Sequence, residues 1–407
     1  MALLPVSDAL ERLLASCKPM EKTENVALHQ AAGRVLARDL AAGLTQPPFD
    51  ASAMDGYAVK GAEVAAIGAK LSVIGESAAG HGFEGRVGQG QAVRIFTGAP
   101  MPEGADSVLL QEDAEKLGDG RIRANFALQT GRHVRPRGQD FAEGEIVLKS
   151  GMELDPGRLV LAAGMNHAEI VAYRKPLVAL IATGDELLPP GSVLGESQII
   201  ASNTFGVAAL AFEAGAEVID LGIVPDDRAM IRAAIERAEK AGADVIVTLG
   251  GASVGDHDLV QETMIAAGMT LDFWKIAMRP GKPLMVGNLG PINVLGLPGN
   301  PVSSMVCALL FLEPLIRKLA HKPAKSRIAR AITALPLKAN DHRQDHLRAT
   351  LERNDSGQLI AHHFDKQDSS MMKIFALADC LIVRPSGAPA LPEGAPCEIM
   401  VLRQPGA

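Results

Sequence analysis

Aromatic side chains are nearly missing from this chain of 407 residues: they make up 3%, with one Trp and two Tyr. That scarcity removes the stacking platform on which single-stranded nucleic acid is usually bound. It also means that the cores must be built from Ala, Val, Leu and Ile. Positive charge is not in excess. The formal net charge is −7 and the sequence pI about 5.8, so the broad basic face that nucleic acid requires is not expected. The four cysteines, Cys17, Cys307, Cys380 and Cys397, show no CxxC spacing. They indicate neither a zinc site nor a disulfide framework, and read as buried, reduced thiols of a cytoplasmic protein. No apolar run reaches membrane-spanning length, and no basic stretch followed by a long apolar run opens the chain. A soluble protein with no membrane partner is expected. Walker A and GxGxxG strings are missing, which disfavours P-loop and dinucleotide folds.

What is present is a chain too long for one core, so several domains are expected. Residues 5–16 read as an amphipathic helix with Ser7 as its N-cap, and residues 24–40 as a strand followed by a short helix. From 45 to 150, short apolar runs alternate with Gly and Pro, the pattern of a small β-rich domain. A Gly/Arg loop over 131–145 leads to a helical centre within 151–172. From 176 to 320 apolar strands alternate with helices, predicting a parallel sheet with helices on both faces. Helices are expected over 203–214, ended by Gly215, and from Arg228 to about Gly242. From about 327 the runs shorten into a small all-β domain.

The richest stretch runs from Lys275 to Pro301. Lys275, Arg279 and Lys282 bracket one Pro/Gly turn, and Pro298-Gly299-Asn300-Pro301 forms a second. A helix pattern begins at Pro301, a favoured position for proline. A helix N-terminus beside fixed cations suits a phosphate or other oxyanion. Carboxylates stand at three predicted strand ends: Asp185 and Glu186 after Thr183-Gly184, Asp226-Asp227, and Asp256 and Asp258 beyond Gly250-Gly251 and Ser253. Mg²⁺ needs only one or two carboxylates plus substrate phosphates. Helix capping accounts for Asp227 better than metal binding does. In parallel sheets ligands bind at the carboxyl ends of strands, and the loops TGDEL, VPDD, LGGASVGDHD, RPGKP and LPGNP all fall there. Outside this region, Pro47 to Val59 is a Pro-rich loop with Asp50 and Asp55 around a Gly turn. Arg132, Arg135, Arg137 and Asp140 form a basic loop suited to bidentate oxyanion contacts. The histidines, His362-His363 included, lack metal-ligand spacing.

Taken together, the strings PPFDASAMDGYAV, FTGAPMPEGAD, RPRGQD, TGDEL, GIVPDD, GGASVGDHD, KIAMRPGKP and GLPGNPVSS resemble the MoeA family, the molybdopterin molybdenumtransferases of molybdenum-cofactor synthesis. They occur in family order across essentially the whole chain. The resemblance implies an elongated helical/β dimerisation domain from 1–46 and 136–175 and a β-rich domain over 47–135. It implies a molybdopterin-binding α/β domain with a parallel-type sheet over 176–325, and a C-terminal β domain over 326–407. It also implies a homodimer with clefts shared between subunits. The implied substrates are adenylylated molybdopterin and molybdate, with AMP released and Mg²⁺ as cofactor. The further partners it implies are the pathway's adenylyltransferase and the carriers that receive the product.

By the same resemblance Asp55, Glu186, Asp226 and Asp258 are the catalytic and metal-binding carboxylates. Substrate binding falls to Thr97, Arg137, Asp140, Thr183, Gly184, Asp185, Gly250, Gly251, Ser253, Lys275, Arg279 and Lys282. Pro298, Gly299, Asn300 and Pro301 shape the wall, and Ser369 and Ser370 contribute from the last domain. Which carboxylate holds metal and which positions water stays open. Ala51, Leu249, Ala252, His257 and Arg279 depart from the family's usual residues; Arg279 stands where relatives often carry Lys, keeping charge but not geometry. An adenylyltransferase shares only the α/β domain, and a receptor-clustering scaffold has no need of acidic and cationic loops at one sheet edge.

Overall fold

The computed structural model describes residues 3–251 and 259–404. The chain forms two compact units, residues 25–172 and residues 1–24 with 173–407.

The larger unit is built on a six-stranded sheet. Its order is Glu217–Val224, Leu177–Thr183, Val245–Leu249, Ile292–Leu297, Pro283–Leu289, Thr270–Lys275. The first four strands are parallel. The central strands are continuous apolar runs because helices cover both faces; every residue of Val245–Leu249 and of Ile292–Leu297 is buried. One face packs on Asn203–Ala214 and the helical run from Pro301 to Leu319, the other on Arg228–Lys240 and Leu259–Ala266.

Three expectations need correction here. The sheet is not wholly parallel: Pro283–Leu289 runs antiparallel to both of its neighbours. Only Gly290 and Pro291 separate it from Ile292, and a parallel crossover needs a dozen or more residues, so this stretch can only be a hairpin. The first helix, Val6–Ser16, does not join an N-terminal domain. Val6, Ala9 and Leu13 are buried in the core beneath the α/β sheet. Nor is Ser7 its cap. Pro5 holds the cap position, and the Ser7 hydroxyl donates to Asp8 Oδ1 at 2.9 Å.

Other local readings match. Gly215 takes φ 108° at the end of Asn203–Ala214. The Asp227 carboxylate accepts from Met230 N–H at 2.9 Å and caps Arg228–Lys240. The helix that begins at Pro301 widens to a π turn over Ala308–Leu312 before resuming at Glu313. Pro314 lacks the N–H that would close the preceding α turn, which explains the local widening.

The C-terminal segment is a closed β-barrel. Its strands run Gln344–Arg353, Leu359–His363, Ile328–Thr333, Pro396–Val401, Cys380–Arg384, and the last pairs back onto the first. The short strand Met278–Arg279 adds in parallel to Gln344–Arg353, with Arg279 in register with Asp345. The cationic loop after Lys275 is thereby part of the barrel's sheet.

The smaller unit holds a six-stranded mixed sheet between residues 56 and 124, with Tyr57, Val59, Leu71, Leu109 and Ile122 in its core. A separate core gathers Val26, Leu36, Phe141, Leu154 and Ile170. Its helix Pro156–Gly164 starts with proline and is capped by Asp155, which accepts from Arg158 N–H at 2.9 Å. All four cysteines are buried and unpaired with one another. No helix among the described residues is long and apolar enough to cross a membrane.

Candidate active site

A cleft of about 910 Å³ opens at the carboxyl ends of the parallel strands. Its rim is set by short turns. Leu177–Thr183 ends in Gly184, whose φ is 147°. A Cβ there would approach Glu186 Oε2 to 2.4 Å, so the bare glycine is what lets the Glu186 carboxylate fold back over the strand end. Glu186 and Asp226 both line the cleft. Asp185 does not; its Oδ1 accepts from the Asp226 N–H at 3.1 Å and ties the two acidic loops together. Desolvation raises the Asp226 pKa above the usual carboxylate value, and the neighbouring charges of Asp185 and Glu186 raise it further.

The turn after Val245–Leu249 adds backbone to the lining. Gly250 and Gly251 take φ of 101° and 64°. A Cβ on Gly250 would meet the Thr183 carbonyl at 2.6 Å, and one on Gly251 would meet Val260 Cγ2 at 2.2 Å. Pro298 to Pro301 also line the cleft. Asn203 Nδ2 donates to Gly299 O at 2.7 Å, and Asn300 Nδ2 donates to Ser369 Oγ at 3.0 Å. The Val302 N–H donates to Ser369 O at 3.1 Å. One amide at the start of the Pro301 helix is therefore occupied by the barrel's loop. Ser370 lines the cleft from that loop.

The cations are differently employed. Lys275 is in register with Pro283, which lines the cleft, so the RPGKP loop stands at this same edge. The Lys275 ammonium lies 4.3 Å from the Trp274 ring centroid, a cation–π distance. Arg279 is engaged by the barrel: it pairs with Asp345 and, at 3.3 Å, with Asp341. Neither Lys275, Arg279 nor Lys282 lines the cleft itself.

In the smaller unit, Asp55 Oδ1 accepts from the Thr97 N–H at 2.8 Å and from the Thr97 hydroxyl at 2.9 Å. These two bonds, and to a lesser degree Arg94, hold the Asp55 carboxyl below its usual pKa. A second cleft of about 540 Å³ is lined by residues including Pro47, Gly98, Arg135 and Asp140. Arg137 supports its rim, donating from N–H to Asp50 Oδ1 at 2.8 Å and from Nε to Pro48 O at 3.1 Å. Ser253 and Asp258 lie outside the described residues.

Residue reading did not single out Asn203, Ile199 or Met372 as cleft residues. Asn203 could have been suspected as a polar residue opening a helix at a strand end. Ile199 and Met372 are ordinary apolar side chains whose place only packing decides.

The comparisons agree with this architecture. Residues 4–165 match the MoeA N-terminal region (domain I and II), residues 179–318 a probable molybdopterin binding domain, and residues 330–402 the MoeA C-terminal region (domain IV). The class is thus that of multidomain proteins in which an α/β domain of this binding family lies, in sequence, between two MoeA regions. The chain is 37% identical over 383 residues to the molybdopterin molybdenumtransferase of Haemophilus influenzae, covering 94% of each. It is 34% identical over 409 residues to that of Bacillus subtilis, covering 98% of this chain and 94% of the relative. Two structures of the molybdopterin biosynthesis MoeA protein of Pyrococcus horikoshii superpose with TM-scores of 0.83 and 0.81 at 30% and 26% identity. They span 99% and 98% of this chain and the whole of each relative. The chain belongs to the molybdopterin molybdenumtransferase family.

Proposed function

We propose that this protein is a transferase that inserts molybdenum into molybdopterin, taking adenylylated molybdopterin and molybdate and releasing AMP. The observation that carries this reading is that Glu186, Asp226 and the Gly250-Gly251 backbone line one strand-end cleft, in a chain of this family. Cleaving a pyrophosphate link requires a held water, a carboxylate to take its proton, and positive charge against the phosphate oxygens. Glu186 and Asp226 supply the carboxylates, and the glycine turn lets backbone approach the phosphates. Lys275 and Lys282 supply positive charge at the same edge for the anionic substrates.

Mg²⁺ fits this donor set. Burial, and then the neighbouring charges of Asp185 and Glu186, raise the Asp226 pKa, and a divalent cation would offset that cost of holding the carboxylate ionised. Among the described residues no three His, Cys, Asp or Glu form a metal cage, so substrate phosphates would complete the shell, as Mg²⁺ ordinarily requires. Glu186 and Asp226 would hold it, with Asp55 and Asp258 as the other members of the family's acidic set. When bound it neutralises charge on the pyrophosphate. Asp55 and Thr97, with Arg137 and Asp140, complete the site in a cytoplasmic homodimer whose clefts draw on both subunits.

The test is AMP release from adenylylated molybdopterin with molybdate and Mg²⁺. No release above a no-enzyme control would sink the assignment. Composite sites are tested by mixing Asp55→Asn and Glu186→Gln subunits. Recovered activity supports two chains at one site, and verified subunit exchange without recovery argues for one.

A further inference from the structure

Ser370 reaches the cleft from residues 364–371, the loop between the barrel strand Leu359–His363 and the helix Met372–Leu377. Serine and aspartate loops are usually compliant, yet this one is tied down at both ends. At the cleft end Ser369 accepts from Asn300 Nδ2 and from the Val302 N–H. At the barrel end one side chain, Gln367, does most of the fastening. Its Oε1 accepts from the Arg348 N–H at 2.9 Å, and its Nε2 donates to Arg348 O at 3.0 Å and to Phe364 O at 2.7 Å. Gln367 thus pairs both backbone groups of Arg348, as a neighbouring strand would. The Phe364 N–H adds a bond to Arg348 O at 3.1 Å, and an Arg348 guanidinium nitrogen donates to Asp368 O at 3.1 Å. Asp368 in turn accepts from the Ser370 N–H and hydroxyl at 2.8 and 2.6 Å.

We infer that Gln367 is a positioning residue: its side-chain amide locks the 364–371 loop to the barrel and so holds Ser369 and Ser370 at the cleft wall. This rests on the proposed use of the cleft. A primary amide is the side chain that offers an acceptor and two donors on one planar head. A methionine fills the space without any of the three bonds. A glutamate keeps the acceptor facing Arg348 N–H but sets a second oxygen against two carbonyls.

The experiment compares Gln367→Met and Gln367→Glu by steady-state AMP release and by amide hydrogen exchange of residues 364–371 in the full-length protein without ligand. Both variants should lose protection in that loop, keep a melting temperature near the parent's, and show kcat/KM reduced tenfold or more. Gln367→Glu should be at least as impaired as Gln367→Met, which a space-filling role does not predict. In a Ser369→Ala, Ser370→Ala background, adding Gln367→Met should change kcat/KM by less than twofold. An equal loss in both backgrounds would overturn the positioning role, as would parent-like exchange in Gln367→Met. If the parent protein releases no AMP, the functional reading fails, and the exchange data alone decide whether Gln367 is the lock.

Discussion

Asp55 and Thr97 are joined twice through a single oxygen: the backbone N–H and the hydroxyl of Thr97 both donate to Asp55 Oδ1. One carboxylate oxygen is thereby fixed, and the two bonds hold the Asp55 carboxyl below its usual pKa. Asp55→Asn should lower kcat/KM by about a hundredfold or more, the scale of one lost catalytic group. Thr97→Val keeps the N–H and removes only the hydroxyl, so its loss should be smaller, about three- to tenfold, from a weaker hydrogen bond. Both residues are exposed, so neither variant should melt early. Parent-like turnover in Asp55→Asn would remove it from the mechanism.

Gly184→Ala should disable the cleft without unfolding the sheet. The new methyl group would press on the Glu186 carboxylate at a backbone conformation open essentially to glycine alone. Turnover should fall together with a stability loss of about 1–3 kcal/mol. The check is kcat/KM beside a urea titration. Unaltered kinetics would mean that the position of Glu186 does not matter.

The three cations of the RPGKP loop should separate by experiment. Lys275→Met and Lys282→Met should weaken binding of the pterin ligand about tenfold or more, as expected for a lost charge-assisted contact, with little change in melting temperature. Arg279→Met should instead destabilise the protein, because Asp345 is buried, with 5% of its surface exposed, and would lose its guanidinium partner. About 1.5–3 kcal/mol is the expected cost. Isotherms at two ionic strengths and thermal melts distinguish the outcomes. Unchanged isotherms for both lysine variants would leave the loop a structural turn.

Glu186→Gln should raise the Mg²⁺ concentration needed for half-maximal AMP release, because one candidate ligand is lost. It should also let Asp226 ionise more readily, since Glu186 contributes to the raised pKa. A magnesium titration of initial rates is the measurement, and an identical midpoint in parent and variant would exclude Glu186 as a ligand.

Burial lowers the His346 pKa from 6.5 to about 4. The folded imidazole refuses a proton that the unfolded one accepts between those values, so stability rises with pH across this window. The contribution is complete above about pH 6.5 and is lost as pH falls toward 4. Its ceiling is about 3 kcal/mol by linkage. Gln344 Nε2 lies 3.1 Å from His346 Nε2, consistent with a neutral ring accepting there. Urea midpoints at pH 7 and pH 4.5 should diverge more for the parent than for His346→Gln. Equal divergence would place the acid sensitivity elsewhere.

The sequence alone determined the strand–helix alternation, the glycines that turn the chain at strand ends, the Asp227 cap and the acidic residues beside those turns. These are local matters: a repeat of apolar residues, a required positive φ, a side chain bonding its own backbone three residues on. Tertiary structure decided the rest. Arg279 and Asp345 are 66 residues apart, and no local pattern distinguishes a substrate cation from one already paired. The first helix reads as amphipathic wherever it packs, and only the α/β core shows where its apolar face is buried. Ser370 and Met372 enter the cleft because the barrel closes beside it, and Gln367 is an ordinary loop glutamine until Arg348 supplies the backbone it pairs with. Partners distant in sequence are chosen by packing, which propensity and periodicity do not encode.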